Sequence, residues 1–425
     1  MYIWERDNWP RFIWEAETLL APLSSARQKQ GYLLAQLKRL GFEDSSAAKL
    51  QMVTEEALRT SEIEGEKLDR EGVRSSAARR LGLEQSSSRK DRQADALVEM
   101  LLSASNSPET QLTLKDLYGW QSALFPTGYS GLKEIIVGGL RDDRHGPMQV
   151  VGGRLDKPTV HFEAPPAHRL SGELDLFLNW FNEPPTNLDG LIRAGLSHLW
   201  FVTLHPFDDG NGRVARAIAD KALAQDDAAT IRFYSLSSQI ERERNAYYDI
   251  LEQTQKGDLE VTQWLQWFLI CYGRAIDRSI QVLDSVSFKS EFWRKHGNRK
   301  FNDRQMKIIN RVLDGFEGVL TARKWGRIAK CSPATAQRDI SVLVETGILQ
   351  RNPGSGKNTS YVMPYLQNRQ LSALTDDQLL ARFEALSPDK IRNLPKPDQK
   401  REMDAYEEIK TLAERRGLIK REDRF

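Results

Sequence analysis

The sequence predicts a mainly α-helical protein assembled from several modules. Apolar residues recur at three- and four-residue spacing through most of the chain, the pattern of helices with one buried face. Alternating, strand-like patches are confined to residues 133–162. At roughly 150 residues per domain, 425 residues imply about three modules. Hydrophobic residues make up 40% and charged residues 28%, which supplies material for cores and excludes a wholly disordered chain. The longest apolar candidate, Trp264 to Tyr272, is interrupted by Gln266 and falls well short of the ~20 residues a membrane span needs. Two cysteines, Cys271 and Cys331, exclude a disulfide framework and a cysteine-based zinc site. The opening MYIWERDNWP is charged early and has no apolar h-region, so no secretory signal is expected and a cytoplasmic setting fits best.

The elements follow in order. Tyr2, Trp4, Trp9, Phe12 and Trp14 open the chain and read as core formers. Helical patterns run from Ala16 to Leu40 and from Ala47 to Thr60, and a Ser- and Arg-rich connection is expected from Ser86 to Asp95. Helices resume at Ala94 to Ala104 and Leu114 to Leu124. Ile135 to Val137, Met148 to Val151 and Thr159 to Phe162, separated by Gly- and Asp-rich turns, predict one or two β-hairpins. Five further helices are expected at Leu170 to Asn182, Leu188 to Leu204, Val214 to Gln225, Gln239 to Gln255 and Leu259 to Val286.

Charge then changes. Residues 288–363 hold 15 Lys+Arg against 6 Asp+Glu, a net +9 in a chain of net +2, so the remainder carries −7. A helix begins near Phe301 to Gln305, and another leads from Thr321 to Ala329. Ser332 is a natural N-cap and Pro333 a natural first helical residue. The next helix, Pro333 to Thr346, would expose Thr335, Gln337 and Arg338. Leu349 to Arg351 and Tyr361 to Val362 flank the loop 352–358 as a hairpin. This order resembles a winged helix-turn-helix domain, a module that binds DNA or serves protein interaction and dimerisation. The tail, 364–425, is charged with both signs and helical in pieces.

The chemistry concentrates at His205-Pro206-Phe207-Asp208-Asp209-Gly210-Asn211-Gly212-Arg213-Val214-Ala215-Arg216, between two helical patterns. A Gly- and Asn-rich loop that opens a helix offers unpaired N–H groups and a positive dipole end to phosphate. Arg213 and Arg216 project from one side of the first turn and can grip phosphate oxygens. Asp209 is a hard oxygen donor suited to nucleotide-borne Mg²⁺. His205 is the group there that accepts a proton near neutral pH.

The run fits H-x-F-x-[DE]-G-N-G-R-x-x-R at every specified position and resembles the Fic family. The resemblance implies a helical bundle with a β-hairpin flap, covering about Leu112 to Leu251, and transfer of AMP from ATP to a protein hydroxyl. By resemblance, His205 is the base, Asp209 holds Mg²⁺, Gly210, Asn211 and Gly212 form the anion pocket, and Arg213 and Arg216 orient the outer phosphates. Gly212 stands where related kinases tend to carry Lys, which favours nucleotidyl transfer. Pro147, Met148, Gln149, Val150 and Val151 fall at the flap edge, where a target segment would add as a strand. Tyr247 and Tyr248 lie where the family places adenine contacts, with core packing as the other reading.

Thr60-Ser61-Glu62-Ile63-Glu64-Gly65 fits the inhibitory motif [ST]-x-x-x-E-[GN]. Placed before the core, it implies that Glu64 reaches Arg216, and Arg213 as a second option, at the γ-phosphate position. The expected organisation is therefore a helical domain with Thr60, Glu64 and Gly65 (1–83), a Fic domain (84–286), a winged helix-turn-helix (287–363) and a tail (364–425). The expected function is ATP- and Mg²⁺-dependent AMPylation of a protein Ser, Thr or Tyr. The alternatives are a bifunctional AMPylase/de-AMPylase and a nucleotide-sensing DNA-binding regulator. The family also implies a homodimer.

Overall fold

A computed structural model describes residues 1–38, 42–83, 92–106, 108–154, 157–227, 233–313, 319–352, 359–366, 376–386, 388–392, 396–415 and 418. The protein is mainly helical and divides into two compact units, Met1–Val286 and Ser287–Phe425. Among the described residues, no helix is long and apolar enough to cross a membrane.

In the first unit the order is α1 (Ala16–Leu37), α2 (Phe42–Ile63), α3 (Arg70–Arg80), α4 (Arg92–Asn106) and α5 (Leu114–Leu124). Four strands follow: β1 (Tyr129–Ser130), β2 (Lys133–Glu134), β3 (Gln149–Arg154) and β4 (Lys157–Glu163). Then come α6 (Leu170–Asn182), α7 (Gly190–Leu204), α8 (Asn211–Asp227), α9 (Leu236–Arg242), α10 (Arg244–Gln255) and α11 (Thr262–His296), whose last turns fall in the second unit. α7 is the axis of the core. It is largely apolar, and every residue from Ala194 to Leu204 is buried, as expected of a helix enclosed by others. It starts where the Asp189 carboxylate accepts the Leu191 N–H at 2.8 Å. α8 packs along it, with α4, α5 and α2 against α8 and α6 against α7. The Phe177, Trp180, Trp9 and Phe12 rings surround Trp200 on α7, with centroids 5.3 to 6.2 Å away. The N-terminal segment is bound to the start of α11 by Ile13 N–H to Leu259 O and Val261 N–H to Ile13 O, both 2.9 Å.

Several expectations are corrected. Ile135 to Val137 is not a strand. The pairing is Tyr129↔Glu134 and Ser130↔Lys133, while Ile136 gives its N–H to Asp208 at 2.8 Å and its carbonyl accepts from Gln121 Nε2 at 3.2 Å. Those side chains take the groups that a ladder would need. The second hairpin, β3 with β4, forms with a register shift between Val150 and Val151. The helix expected at Gln239 to Gln255 is two. Ser235 caps α9 early, and the chain breaks at Glu243, whose ψ of 23° ends one helix and begins the next. α3 was not expected, and of the Ser86 to Asp95 connection residues 86–91 lie outside the described residues while Arg92 to Asp95 already belong to α4.

The second unit holds α12 (Asp303–Leu313), β5 (Leu320–Thr321), α13 (Ala322–Ala329), α14 (Pro333–Glu345), β6 (Gln350–Arg351) and β7 (Ser360–Val362). Its sheet is antiparallel in the order β5-β7-β6. Ile308, Trp325, Ile340, Leu343 and Phe292 form the core. Ser332 caps α14 by accepting the Thr335 N–H at 3.2 Å, with Pro333 in the first turn. Loop residues 353–358 lie outside the described residues, and tail helices run Asp376–Ala385, Pro388–Arg392 and Lys396–Arg415.

Candidate active site

α7 ends at His205, which takes left-handed backbone angles of φ 48° and ψ 53° and turns the chain out of the helix. Its N–H still closes the last turn onto Phe201 O at 3.1 Å. The ring Nδ1 lies 3.2 Å from Val202 O. A carbonyl oxygen only accepts, so Nδ1 carries the hydrogen and Nε2 is left as a bare acceptor. Burial holds the His205 pKa below the ordinary 6.5, aided by the positive charge of Arg141 and opposed by the Val202 bond. The ring is therefore neutral at neutral pH, the state a general base needs.

Arg141 was not singled out from the sequence, yet it fixes this corner. Its Nε donates to His205 O at 2.8 Å, its own N–H to Pro206 O at 3.0 Å, and Nη2 to Pro165 O at 2.5 Å. Its side chain is fully buried and paired with Asp143 at 2.9 Å. Nothing in the local sequence, an Arg followed by two Asp, marks it.

The loop is held from inside. Asn211 accepts the Phe207 N–H at 2.9 Å and donates to Phe207 O at 2.8 Å, so its amide braces the loop instead of facing a ligand. Gly210 sits at φ +88°, and a Cβ there would lie 2.9 Å from the Phe125 ring. The first N–H groups of α8 have no helical acceptor and share its positive end. Gly210 and Gly212 add no side chain of their own at that end.

Asp209 accepts the Gly210 N–H at 2.6 Å and the Ser130 hydroxyl. A carboxylate has about four acceptor positions, so the pair leaves room for more. Among the described residues no group of three or more His, Cys, Asp or Glu side chains is placed to hold a metal ion. One carboxylate beside a hydroxyl fits Mg²⁺ carried in on phosphates, which uses one or two protein carboxylates and keeps water, and does not fit a self-sufficient metal cage.

Both arginines are engaged. Arg216, its side chain 2% exposed, donates from Nε to Thr60 Oγ1 at 2.8 Å, and from Nη2 to Thr60 O at 2.9 Å and Glu64 Oε1 at 2.8 Å. Thr60 O is free to accept because the Glu64 N–H turns to Ser61 O as α2 ends, and Gly65 at φ +83° completes that turn. Arg213 pairs with Glu66 Oε2 at 2.7 Å and lies over the Phe125 ring at 5.1 Å. The option of Glu64 on Arg213 is thus corrected: Glu66, not read from the sequence, occupies that guanidinium. Gly212 is fitted to this arrangement, since a Cβ there would come within 2.3 Å of Glu64 Oε1.

The two tyrosines separate. Tyr247 is 1% exposed and joined to His198 Nε2 at 2.9 Å in the core, so in this conformation it presents no surface to a ligand. His198 is held neutral, its pKa pushed down to about 3 by burial and the nearby Arg216 charge. Tyr248 is 37% exposed, beside the end of α2, with its hydroxyl donating to Ile63 O at 3.3 Å. Pro147 and Met148 lead into β3. Val151 is 51% exposed on that strand, and β3 pairs among the described residues with β4 alone.

Residues 111–223 match the Fic/DOC family. Residues 2–83 match a domain of unknown function, DUF4172. The protein named "Protein adenylyltransferase Fic" of Nematostella vectensis is 31% identical over 135 residues, 31% of this chain and 29% of that protein. The "Probable protein adenylyltransferase" of Aquifex aeolicus is 28% identical over 180 residues, 41% of this chain and 52% of its own. The chain thus spans under a third and about half of these relatives' lengths. The crystal structure of a Fic family protein from Desulfovibrio desulfuricans superposes with a TM-score of 0.46 at 18% identity, covering 80% of this chain and 95% of that one. Within the matched Fic region lie Ser130, Arg141, His205, Asp209, Arg213 and Arg216, while Thr60, Glu64 and Glu66 come from the matched N-terminal region. The two ion pairs therefore join the two matched regions.

Proposed function

We propose that the chain transfers AMP from ATP to a Ser, Thr or Tyr hydroxyl of a protein, and that Glu64 holds this activity back. The observation that carries the reading is the neutral His205 with a bare Nε2 at the mouth of a phosphate-type loop whose two arginines are occupied by carboxylates. The similarity to proteins named protein adenylyltransferase supports it. The hydroxyl oxygen attacks the α-phosphorus, the bond to the β-phosphate oxygen breaks, and pyrophosphate leaves. His205 Nε2 takes the hydroxyl proton. The N-terminal N–H groups of α8 hold phosphate oxygens, and Arg213 and Arg216 orient the β- and γ-phosphates once released from their carboxylates. Asp209, with Ser130 beside it, would hold Mg²⁺, which when bound neutralises phosphate charge. The exposed edge at Gln149 to Val151 is the place for a target strand.

The test is auto-modification with ATP labelled at the α-phosphate. Label at α and none from γ-labelled ATP is expected; transfer of γ-label would overturn nucleotidyl transfer in favour of a kinase. The pH profile follows from His205. Its base form is complete above its lowered pKa and is lost as pH falls through it, so the acid limb of the rate is expected below pH 6.5. In kcat/KM, which reports the nucleotide-free enzyme, an acid limb centred above 6.5 would count against His205 as the titrating base.

Glu66 yields a separate expectation. Glu66→Ala frees Arg213 while Glu64 stays on Arg216, so auto-modification should rise by a few-fold, less than on loss of Glu64. The Glu66 carboxylate is the more exposed of the two, 34% against 29%, which weakens its hold.

A further inference from the structure

We propose that the second unit binds double-stranded DNA through α13 and α14, with Arg323, Arg327 and Lys330 on phosphates and Arg338 on base edges. The inference is independent of the transfer reaction.

α14 is two-faced. Ala336, Asp339, Ile340 and Leu343 are buried, and Ala334, Gln337, Arg338 and Val342 form the exposed stripe at helical spacing. The acid within this stretch is turned inward. Asp339 is 5% exposed, bonded by Arg304 at 2.8 and 3.0 Å and by Asn302 at 2.9 Å. Arg338 is thus the cation of the exposed face, and the exposed acid of α14, Glu345, stands in its last turn, away from the N-terminal half.

The helix before it adds the rest. Arg323 and Arg327 are exposed and four residues apart, on one side of α13. Lys330, exposed at the turn, takes φ 51° and ends that helix. None of Arg323, Arg327, Lys330 and Arg338 forms an ion pair among the described residues, whereas Arg304 does. Four unpaired cations on a turn between two short helices, in a stretch of net +9, make a surface complementary to a regular line of phosphates. In such a turn the first helix crosses the backbone and the N-terminal part of the second enters the major groove. Arg338 lies in that part and can donate two bonds to guanine. Two residues contribute less than expected from the sequence. Thr335 shares its hydroxyl with Ser332 at 2.9 Å, and Gln337 gives Nε2 to Tyr361 at 3.2 Å.

The experiment uses the full chain and fluorescence anisotropy with a mixed-sequence DNA duplex of about 30 base pairs over a salt series, where each phosphate contact contributes a slope near −0.9. Binding should weaken with salt, and Arg323→Ala/Arg327→Ala should lower the slope by about 2 on every duplex. Arg338→Ala should instead flatten the preference in sequences selected from a random pool, by about tenfold or more at one position. Melting curves of each variant check that the unit stays folded. No binding of duplex by folded wild-type protein at low salt overturns the proposal and leaves a protein partner. Equal binding by the double variant also overturns it, as does equal affinity for heparin with no effect of Arg338→Ala, which would mean a general polyanion surface.

Discussion

Glu64→Gly should raise auto-modification from α-labelled ATP by roughly 10- to 100-fold. The estimate comes from the contact it removes. Glu64 Oε1 is 2.8 Å from Arg216 Nη2, a hydrogen bond between charged groups on a guanidinium that is nearly inaccessible. Such bonds contribute about 1.5–3 kcal/mol net, and each 1.4 kcal/mol is a factor of ten. A γ-phosphate that seeks the same guanidinium must first displace the carboxylate. Removing it returns that free energy to nucleotide binding in the productive pose. The same substitution carries a stability penalty that serves as a control. Arg216 would remain buried with only Thr60 as acceptor, and a buried cation that loses its anion is destabilised. The melting temperature of the nucleotide-free variant should fall, and ATP should restore it more than it shifts wild type, because ATP now supplies the missing charge. Unchanged or lower auto-modification would sink the brake. Loss of AMP removal from a modified target in the same variant would assign Glu64 to positioning water, making the enzyme bifunctional.

The end of α2 and the loop after α7 differ in how far the sequence discloses them. His205 to Arg216 is legible because its chemistry is local: a helix stop, a glycine turn, a helix start and two arginines one turn apart lie in one run. Glu64 acts across 152 residues and is legible only because Thr60 to Gly65 resembles a known inhibitory motif. Arg141, Ser130 and Glu66 are not, because each acts across 64, 79 and 147 residues of chain, and no periodicity relates such positions. α3 escaped for another reason. It buries Val73, Ser76, Ala77 and Ala78, and small residues let helices approach without producing an apolar stripe. Tyr247 and Tyr248 show the limit of a helix reading: adjacent residues point about 100° apart, so one enters the core and its neighbour reaches the rim.

His205→Ala in the Glu64→Gly background should reduce auto-modification by ~10²–10⁴-fold, the usual contribution of a positioned base. The released background matters, since a braked wild type would hide the lower part of that range. Alanine also disturbs the backbone. His205 sits in the left-handed region, where a residue other than Gly, Asn or Asp is held at a cost of roughly 1–2 kcal/mol by its surroundings. With the ring gone, the bond to Val202 O is lost as well, and the helix end could shift the loop that follows. His205→Asn separates these effects. Asparagine accepts left-handed angles readily and can donate to Val202 O, but its amide takes no proton. If the base is what matters, both variants lose activity alike while ATP still raises the melting temperature through Arg213, Arg216 and the α8 N-terminus. If His205 only shapes the loop, Asn should recover most of the activity that Ala loses. That recovery would remove His205 from the chemistry, and with it the proton transfer on which the proposed reaction depends.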